Sequence, residues 1–181
     1  MVFIMKIYVD GGCRGNGKPG SIGAASAVFK YRAGRKRAWT TDLPESTLPT
    51  NQRAEITAII LALEQALLKY DRIQSNPRQG IPRLDVKIYS DSKYAIGCMT
   101  EWISKWRDNG WRNAAGKPVA NQDLIMMASG LDAKLREGGK VKYVWIPRSE
   151  NEDADGCCNR AMNKMEVAQK AKDLLNVAFV C

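Results

Sequence analysis

The chain has 181 residues, of which 45% are hydrophobic, and its formal net charge at pH 7 is +9. A hydrophobic fraction of this size excludes intrinsic disorder, and the length suits a single domain. The 28 Lys and Arg residues outnumber the 19 acidic residues, and this excess predicts a polyanionic partner.

The absence of histidine is the most restrictive feature of the composition. It excludes His-based catalytic triads, zinc sites that combine His with Cys, and imidazole general bases. The five cysteines are odd in number and have no C-x-x-C spacing, so we expect free thiols. No apolar run suits a transmembrane helix or a secretory signal. We therefore expect an intracellular monomer, cytoplasmic or nuclear, that does not bind membranes.

Apolar, β-rich segments at the start of the chain predict three successive strands, at residues 2–9, 22–31 and 35–41. The first of these delivers Asp10 and is expected to turn at once through the glycines that follow. Thr50 and Asn51 then start a predicted helix that continues to Leu68. Its apolar residues recur at spacings of three and four, which is typical of a helix with one buried face.

The remaining elements are predicted as a strand, two helices, a strand and a helix, at residues 84–89, 94–106, 121–136, 141–146 and 150–164. The resulting order, β-β-β-α-β-α-α-β-α, predicts an α/β fold with a mixed five-stranded sheet and helices on both faces. Residues 1–165 form the predicted domain, with 102–121 as a basic protrusion. Residues 166–181 are expected to be a C-terminal tail, either packed or disordered.

Four of these elements carry an acidic residue at a boundary: Asp10, Glu55, Asp91, and one of Asp153 or Asp155. Each acid alone is explained as a turn or helix-start residue. Together they favour a metal site, because clustered carboxylates repel one another unless a cation is present. Mg²⁺ prefers oxygen ligands, and two such ions can activate water and stabilise the leaving oxygen in phosphodiester cleavage.

Four short motifs around these acids resemble the type 1 ribonuclease H family, in the short-loop form that lacks the loop histidine. They are Tyr-Val-Asp-Gly-Gly-Cys-Arg-Gly-Asn-Gly around Asp10, Thr-Asn-Gln-Arg-Ala-Glu ending on Glu55, Tyr-Ser-Asp-Ser-Lys-Tyr around Asp91, and Asn-Glu-Asp-Ala-Asp ending on Asp155. The resemblance covers residues 6–163. It implies a ribonuclease H-like fold and an endonuclease that hydrolyses the RNA strand of RNA/DNA hybrids, leaving 5′-phosphate and 3′-hydroxyl ends.

The resemblance also implies a two-metal-ion mechanism, with Mg²⁺ as the ion and Mn²⁺ as the alternative. The implied ligands are Asp10, Glu55, Asp91 and Asp155. Asp155 is preferred to Asp153 because the family pattern Asn-Glu-x-x-Asp places its acid there.

Further positions match residues that contact the hybrid in the family. Cys13, Asn16, Asn51 and Gln52 match contacts to the sugar edges, where 2′-hydroxyl groups distinguish RNA from DNA. Arg14, Thr50 and Asn121 match a group that binds a phosphate of the DNA strand. The other implied nucleic-acid contacts are Lys93, Trp106, Arg107, Trp111, Arg112 and Lys117. Structural roles stay open beside these: Asn51 and Asn121 as helix N-caps, Cys13 as a small turn residue, and the tryptophans as packing residues.

The loop before the last acid departs from the pattern of many family members. Residues 145–151 form a shorter loop without the histidine that is thought to assist the attacking water or product release. We hypothesise that Arg148 or Glu150 substitutes for it, or that the metal ions suffice.

Two other functions remain open on the sequence alone. One is a different polynucleotidyl transferase of the same fold, such as a transposase or resolvase, although the protrusion and the sugar-contacting residues disfavour it. The other is a non-catalytic module that binds hybrids, although all four acids are present.

Overall fold

The computed structural model describes residues 1–75 and 80–178. Its five strands are β1 (Val2–Arg14), β2 (Ile22–Lys30), β3 (Lys36–Asp42), β4 (Arg83–Ser90) and β5 (Gly139–Trp145). They form one sheet in the order β3-β2-β1-β4-β5. The pairs β1–β2 and β2–β3 are antiparallel, whereas β1–β4 and β4–β5 are parallel. The predicted mixed five-stranded sheet is therefore confirmed, with β1 at its centre.

Helices cover both faces of this sheet, as predicted. They are α1 (Asn51–Gln74), α2 (Lys93–Gly97), α3 (Ile103–Asp108), α4 (Gln122–Gly138) and α5 (Glu152–Ala178). A wider turn of π type, Cys98–Trp102, joins α2 to α3. The main core lies between the sheet and α1 with α4, and a smaller core lies on the other face, where α5 packs against β2.

The alternation of side chains along β1 assigns its residues to the two faces. Met5, Ile7 and Val9 are buried in the main core, where the apolar stripe of α1 also lies. Asp10, next to Val9, consequently points to the face covered by α5.

The sequence-based boundary of β1 is wrong. The strand does not turn after Asp10 but continues to Arg14, pairing with β2 through Gly11, Gly12 and Cys13. The reason lies in the neighbouring elements, because a Cβ atom on Gly11 would stand 2.1 Å from the backbone carbon of Ala54 in α1. This glycine therefore allows a strand and a helix to touch, rather than a turn to form.

Two helices are longer than predicted. α1 ends at Gln74 rather than near Leu68, and residues 76–79, between α1 and β4, lie outside the described residues. α5 begins at Glu152 and continues to Ala178, so the boundary predicted at residue 165 falls within a helix. After that point α5 exposes Val167, Leu174 and Leu175. It thus loses the amphipathic pattern that would have revealed it, although good helix formers continue.

The helix caps also differ from the predictions. Thr50, not Asn51, caps α1, since its hydroxyl accepts a hydrogen bond of 3.2 Å from the Arg53 N–H. Asn121 precedes α4 but its side chain makes no capping bond, and its φ of 57° is left-handed. No helix in the described ranges is long and apolar enough to cross a membrane.

Candidate active site

The strand register brings Asp10 and Asp91 together. The parallel pairing of β1 with β4 ends at Tyr8 and Tyr89, so each acid lies two residues beyond the last pair. β4 ends at Ser90, whereas β1 continues beside β2. Two neighbouring parallel strands therefore present carboxylates side by side where one of them stops.

The protonation of Asp10 reflects this crowding. Burial, followed by the charges of Asp91 and Asp155, raises the pKa of the Asp10 carboxyl from 3.8 to about 6. The Arg148 guanidinium opposes that shift. An acid with two acidic neighbours in a partly buried position is a strong candidate for binding a cation.

Glu55 joins the group from the first turns of α1. Burial is the largest cause that raises the pKa of its carboxyl, and the charge of Asp91 raises it further. The Ser92 hydroxyl donates a 2.5 Å hydrogen bond to Glu55 Oε2 and accepts one from the Ala95 N–H. Ser92 thus caps α2 and orients Glu55 at the same time.

The two acids in the first turn of α5 have different surroundings. Asp155 accepts hydrogen bonds from Arg148 (2.5 Å) and the Asn159 amide (2.9 Å), and its charge acts on Asp10. Asp153 forms ion pairs with Lys36 (2.7 Å) and Lys30 (2.9 Å), which lower the pKa of its carboxyl. The structure brings Asp155, and not Asp153, to the other acids.

Asn151 is a site residue that sequence reasoning missed. It is fully buried, and its amide donates hydrogen bonds to Asp91 Oδ1 (2.8 Å) and to the Val9 carbonyl (2.9 Å). The backbone carbonyl of Asn151 accepts a hydrogen bond from the Asp155 N–H at 3.0 Å. One residue therefore ties β1, Asp91 and the start of α5 together. The only signal in the sequence was its place at the head of Asn-Glu-Asp-Ala-Asp.

We expect Asn151→Ala to lower the free energy of unfolding by about 1–3 kcal/mol, because it leaves buried acceptors without a donor. Urea unfolding of the variant measures this. Asn113→Ala is the matched control, since the Asn113 side chain accepts hydrogen bonds in an exposed turn. Equal losses in the two variants would contradict the role of Asn151 as a tie between elements.

The donor set fits a hard divalent cation. All four side chains offer carboxylate oxygens, and burial together with neighbouring acids raises the pKa values of Asp10 and Glu55, although Arg148 partly offsets the charge at Asp10. Within the described residues, no three acidic or cysteine side chains converge closely enough to hold an ion as they stand. Glu55 is turned to Ser92 and Asp155 to Arg148, so binding an ion requires these side chains to reorient.

Three of the four predicted sugar-contacting residues, Cys13, Asn16 and Asn51, form one hydrogen-bonded group. The Cys13 N–H donates to Asn51 Oδ1 (2.9 Å), and the Asn51 N–H donates to Asn16 Oδ1 (3.0 Å). Asn16, Asn51 and Gln52 are exposed, whereas Cys13 is half-buried with its thiol directed to the Pro49 carbonyl (3.1 Å). The side chains of Asn16, Asn51 and Gln52 can therefore reach a ligand, whereas the thiol of Cys13 is less accessible to one.

The residues predicted to bind a DNA phosphate do not all meet. Arg53 connects Thr50 with Asn121. Its backbone N–H donates to the Thr50 hydroxyl, and its guanidinium contacts Asn121 Oδ1 (3.5 Å) and forms an ion pair with Asp123 (2.7 Å). Arg53, which sequence reasoning did not single out, therefore joins α1 to α4. The Arg14 guanidinium instead contacts Glu166 (2.8 Å) and Asn163 (2.7 Å) of α5.

The protrusion is built on neighbouring aromatic rings that are tilted relative to one another. Trp102, Trp106 and Trp111 follow one another with centroid distances of 5.8 and 6.4 Å, and all pack against the main core. These tryptophans therefore have a packing role, which was the alternative to nucleic-acid contact. Arg107 is exposed, and its guanidinium donates to the Ser129 hydroxyl of α4.

Three other cations that were predicted to contact the hybrid are exposed as well. Lys93, Arg112 and Lys117 are exposed, with the Lys93 ammonium 5.2 Å from the Trp145 ring and Arg112 bonded to the Gly116 carbonyl (2.8 Å). In the shortened loop, Arg148 reaches the acids, whereas Glu150 is exposed within a short 3₁₀ turn.

Comparisons with known proteins agree on one family. The RNase H family profile matches residues 4–163. Ribonuclease H of Alkalilimnicola ehrlichii is 38% identical over 91% of this chain and 98% of its own length. Ribonuclease H of Dechloromonas aromatica is 32% identical over 90% of this chain and 95% of its own.

A solved structure shares the fold at lower sequence identity. The N-terminal RNase H domain of rv2228c from Mycobacterium tuberculosis, a fusion with maltose binding protein, is 22% identical, with a TM-score of 0.62, 93% of this chain covered and 98% of the other. The profile match and these relatives establish that the chain belongs to the ribonuclease H family.

Proposed function

We propose that this protein is a ribonuclease H that cleaves the RNA strand of RNA/DNA hybrids, with Asp10, Glu55, Asp91 and Asp155 as ligands of two Mg²⁺ ions. The observation that carries the proposal is the convergence of acids on Asp10, whose pKa rises to about 6 through burial and two acidic neighbours. These acids come from β1, α1, α5 and the residue that follows β4, and without a cation their repulsion opposes folding.

Bound Mg²⁺ ions would supply the activation of a water and the stabilisation of the leaving 3′-oxygen. The residues of this chain orient the ligands. Ser92 holds Glu55 by its hydroxyl, and Asn151 holds Asp91 against the Val9 carbonyl. The Asn151 contact limits the movement of Asp91 on ion binding, whereas Glu55 has to turn from Ser92 to reach an ion.

The exposed residues beside Asp10 support recognition of the RNA strand. Asn16, Asn51 and Gln52 present polar groups where β1 and α1 meet, next to the acids. Hydrogen bonds to 2′-hydroxyl groups in a wide minor groove distinguish RNA from DNA. The exposed cations Lys93, Arg112 and Lys117 would then contact phosphates without reading sequence.

A cleavage assay on three substrates tests the proposal. An RNA/DNA hybrid, a DNA duplex and an RNA duplex, each end-labelled, are incubated with Mg²⁺, Mn²⁺ or EDTA. We expect cleavage of the RNA in the hybrid alone, dependent on a divalent ion, with 5′-phosphate and 3′-hydroxyl ends. Cleavage of duplex DNA would indicate another polynucleotidyl transferase, and hybrid binding without cleavage would indicate a non-catalytic module.

Arg148→Ala tests whether this residue replaces the loop histidine. Its guanidinium lies 2.5 Å from Asp155 Oδ1 and lowers the pKa of the Asp10 carboxyl, so it sets the charge and orientation of the acids to which an ion binds. We expect kcat to fall by about tenfold, a barrier change of about 1.4 kcal/mol, with little change in KM. Glu150→Ala, in the same exposed turn, tests the other candidate residue. Unchanged turnover in both variants would assign the task to the metal ions alone, and a loss in the Glu150 variant alone would assign it to Glu150.

A further inference from the structure

The end of β1 opposite to the acids has an open edge. β1 pairs with β4 from Val2 onward, but its pairing with β2 begins only at Lys6 and Lys30. Beyond Lys30 the chain turns toward β3, with the Tyr31 N–H bonded to the Arg35 carbonyl at 2.8 Å. Among the described residues, residues 2–5 therefore have no strand partner on the β2 side. Unpaired backbone groups of this kind are a template for another strand.

A cavity of 780 Å³ lies along this edge, lined by β1, the end of β2 and α1. Its β1 wall includes Val2 and Ile4, whose exposed fractions are 58% and 54%. Both side chains lie on the same face of β1. Another strand placed beside residues 2–5 would cover them, and burial of this apolar surface would favour its binding.

The charges around the cavity have one sign. Its lining contains five cations and no acid; the cations are Lys6, Lys30, Arg32, Arg35 and Lys69. Lys30 is paired with Asp153, whereas the other four have no carboxylate within 4 Å among the described residues. The Lys69 ammonium lies 4.1 Å from the centroid of the Tyr31 ring and 5.4 Å from that of Phe3. An occupant with several negative charges is complementary to this lining.

We propose that this edge binds an extended, acidic segment of a partner protein, which adds to the sheet beside residues 2–5 as a further strand. Its backbone pairs with β1, its apolar side chains cover Val2 and Ile4, and its acids meet the cations of the lining. Strand addition of this kind obtains affinity from the main chain and specificity from the alternating side chains.

A peptide fits these features better than a single-stranded nucleic acid. Nucleic acids bind such grooves by stacking their bases on aromatic rings. Here the Lys69 ammonium already occupies the faces of Tyr31 and Phe3. Phosphates would engage the cations but would leave the strand edge unpaired and Val2 and Ile4 uncovered.

The location allows docking during catalysis. Val2 and Asp10 are eight positions apart on β1, which corresponds to about 26 Å at about 3.3 Å per residue. Lys69 and Glu55 are similarly separated along α1, by about 21 Å. A segment bound at the edge would therefore not obstruct the acids, and the proposal does not depend on the hydrolytic activity.

The test uses a fluorescein-labelled peptide of about eight residues that alternates Asp with Val, titrated with the full chain in fluorescence anisotropy. We expect saturable binding that weakens by about tenfold in Lys69→Glu and less in Lys69→Gln. Lys134→Glu, an exposed cation on α4, is the matched control and should leave binding unchanged. Hybrid cleavage should be equal in all these proteins, and thermal unfolding shows whether each variant is folded.

Two further peptides test the mode of binding with the unaltered protein. A version with N-methyl groups on alternate amides should lose binding by at least about tenfold, since it cannot pair with a strand. A Lys-Val peptide should not bind. Equal affinity of the N-methylated peptide, or equal weakening by Lys134→Glu, would overturn the proposal. Displacement of the peptide by an oligothymidylate, with the same sensitivity to Lys69→Glu, would assign the edge to nucleic acid instead.

Discussion

Asp10→Asn is expected to abolish hybrid cleavage while raising the free energy of unfolding at pH 7. Asp10 stands between Asp91 and Asp155, and its amide variant offers an ion neither a charge nor a second carboxylate oxygen. We expect the rate to fall by at least about 10³-fold, which corresponds to about 4 kcal/mol in the barrier. Hybrid affinity measured in EDTA should change far less than the rate. A comparable loss of affinity would contradict the role of Asp10 as a metal ligand.

The gain in stability follows from the direction of the pKa shift. The carboxyl of Asp10 has a pKa near 3.8 in the unfolded chain and about 6 when folded, so its ionised form opposes folding. At pH 7 the penalty is on the order of 1–2 kcal/mol after allowing for solvent screening. It disappears as the pH falls through 6 toward 4. Urea unfolding in EDTA should therefore show Asp10→Asn more stable than the wild type at pH 7, and equal to it near pH 4.

Asp153→Asn is the matched control. It also replaces an acid by its amide, but the pKa of the Asp153 carboxyl is lowered, whereas that of Asp10 is raised. Lys36 and Lys30 lower the pKa of the Asp153 carboxyl, so its ionised form supports folding above the unfolded pKa. We expect this variant to be no more stable than the wild type at pH 7, and to cleave hybrids normally. Added Mg²⁺ should stabilise this control and the wild type, but not Asp10→Asn, since only ligands that bind the folded state stabilise it.

The sheet was predictable because its strands carry their own signals. β-rich composition and helical periodicity identified all five strands and the main helices. The errors arose where tertiary contacts override local signals. Gly11 and Gly12 are typical of a turn, but pairing with β2 and contact with α1 keep them in β1. The second half of α5 lacks a buried stripe, and periodicity cannot detect a helix that buries no face.

The candidate site likewise contains residues that the sequence predicts and residues that only tertiary contacts reveal. Its acids sit at element boundaries that can be read from the sequence, and four short motifs surround them. Ser92 and Asn151 were missed because short polar residues at such positions have ordinary capping roles. Asn151 and Val9 are 142 residues apart along the chain and meet only in the folded protein. Their contact shows that Asn151 connects separate elements and does more than cap a helix.

Gly11→Ala is expected to have the largest effect on stability of any conservative change at the site. Its φ is not left-handed, so alanine could adopt the backbone conformation. The obstacle is steric, because the new Cβ would lie 2.1 Å from the Ala54 carbon and 2.4 Å from the Glu55 nitrogen. These atoms belong to a helix backbone and cannot rotate away. Relief requires β1 and α1 to separate, at a cost of about 3 kcal/mol or more in the free energy of unfolding.

Gly12→Ala provides a matched control one residue further along β1. There the new Cβ would meet the terminal methyl of Met162 at 3.0 Å, and a flexible side chain can move. Urea unfolding should show a loss below about 1 kcal/mol for this variant, against the much larger loss for Gly11→Ala.

Hybrid cleavage should follow the same order, because separating the two elements moves Glu55 of α1 away from Asp10 of β1. A displacement of about 1 Å in a catalytic group can cost about 10²-fold in rate, so the surviving folded Gly11→Ala protein should be nearly inactive. Equal unfolding midpoints for the two variants would mean that β1 and α1 do not meet at Gly11. Full activity in a destabilised Gly11→Ala protein would mean that the contact between Gly11 and α1 does not set the distance from Asp10 to Glu55.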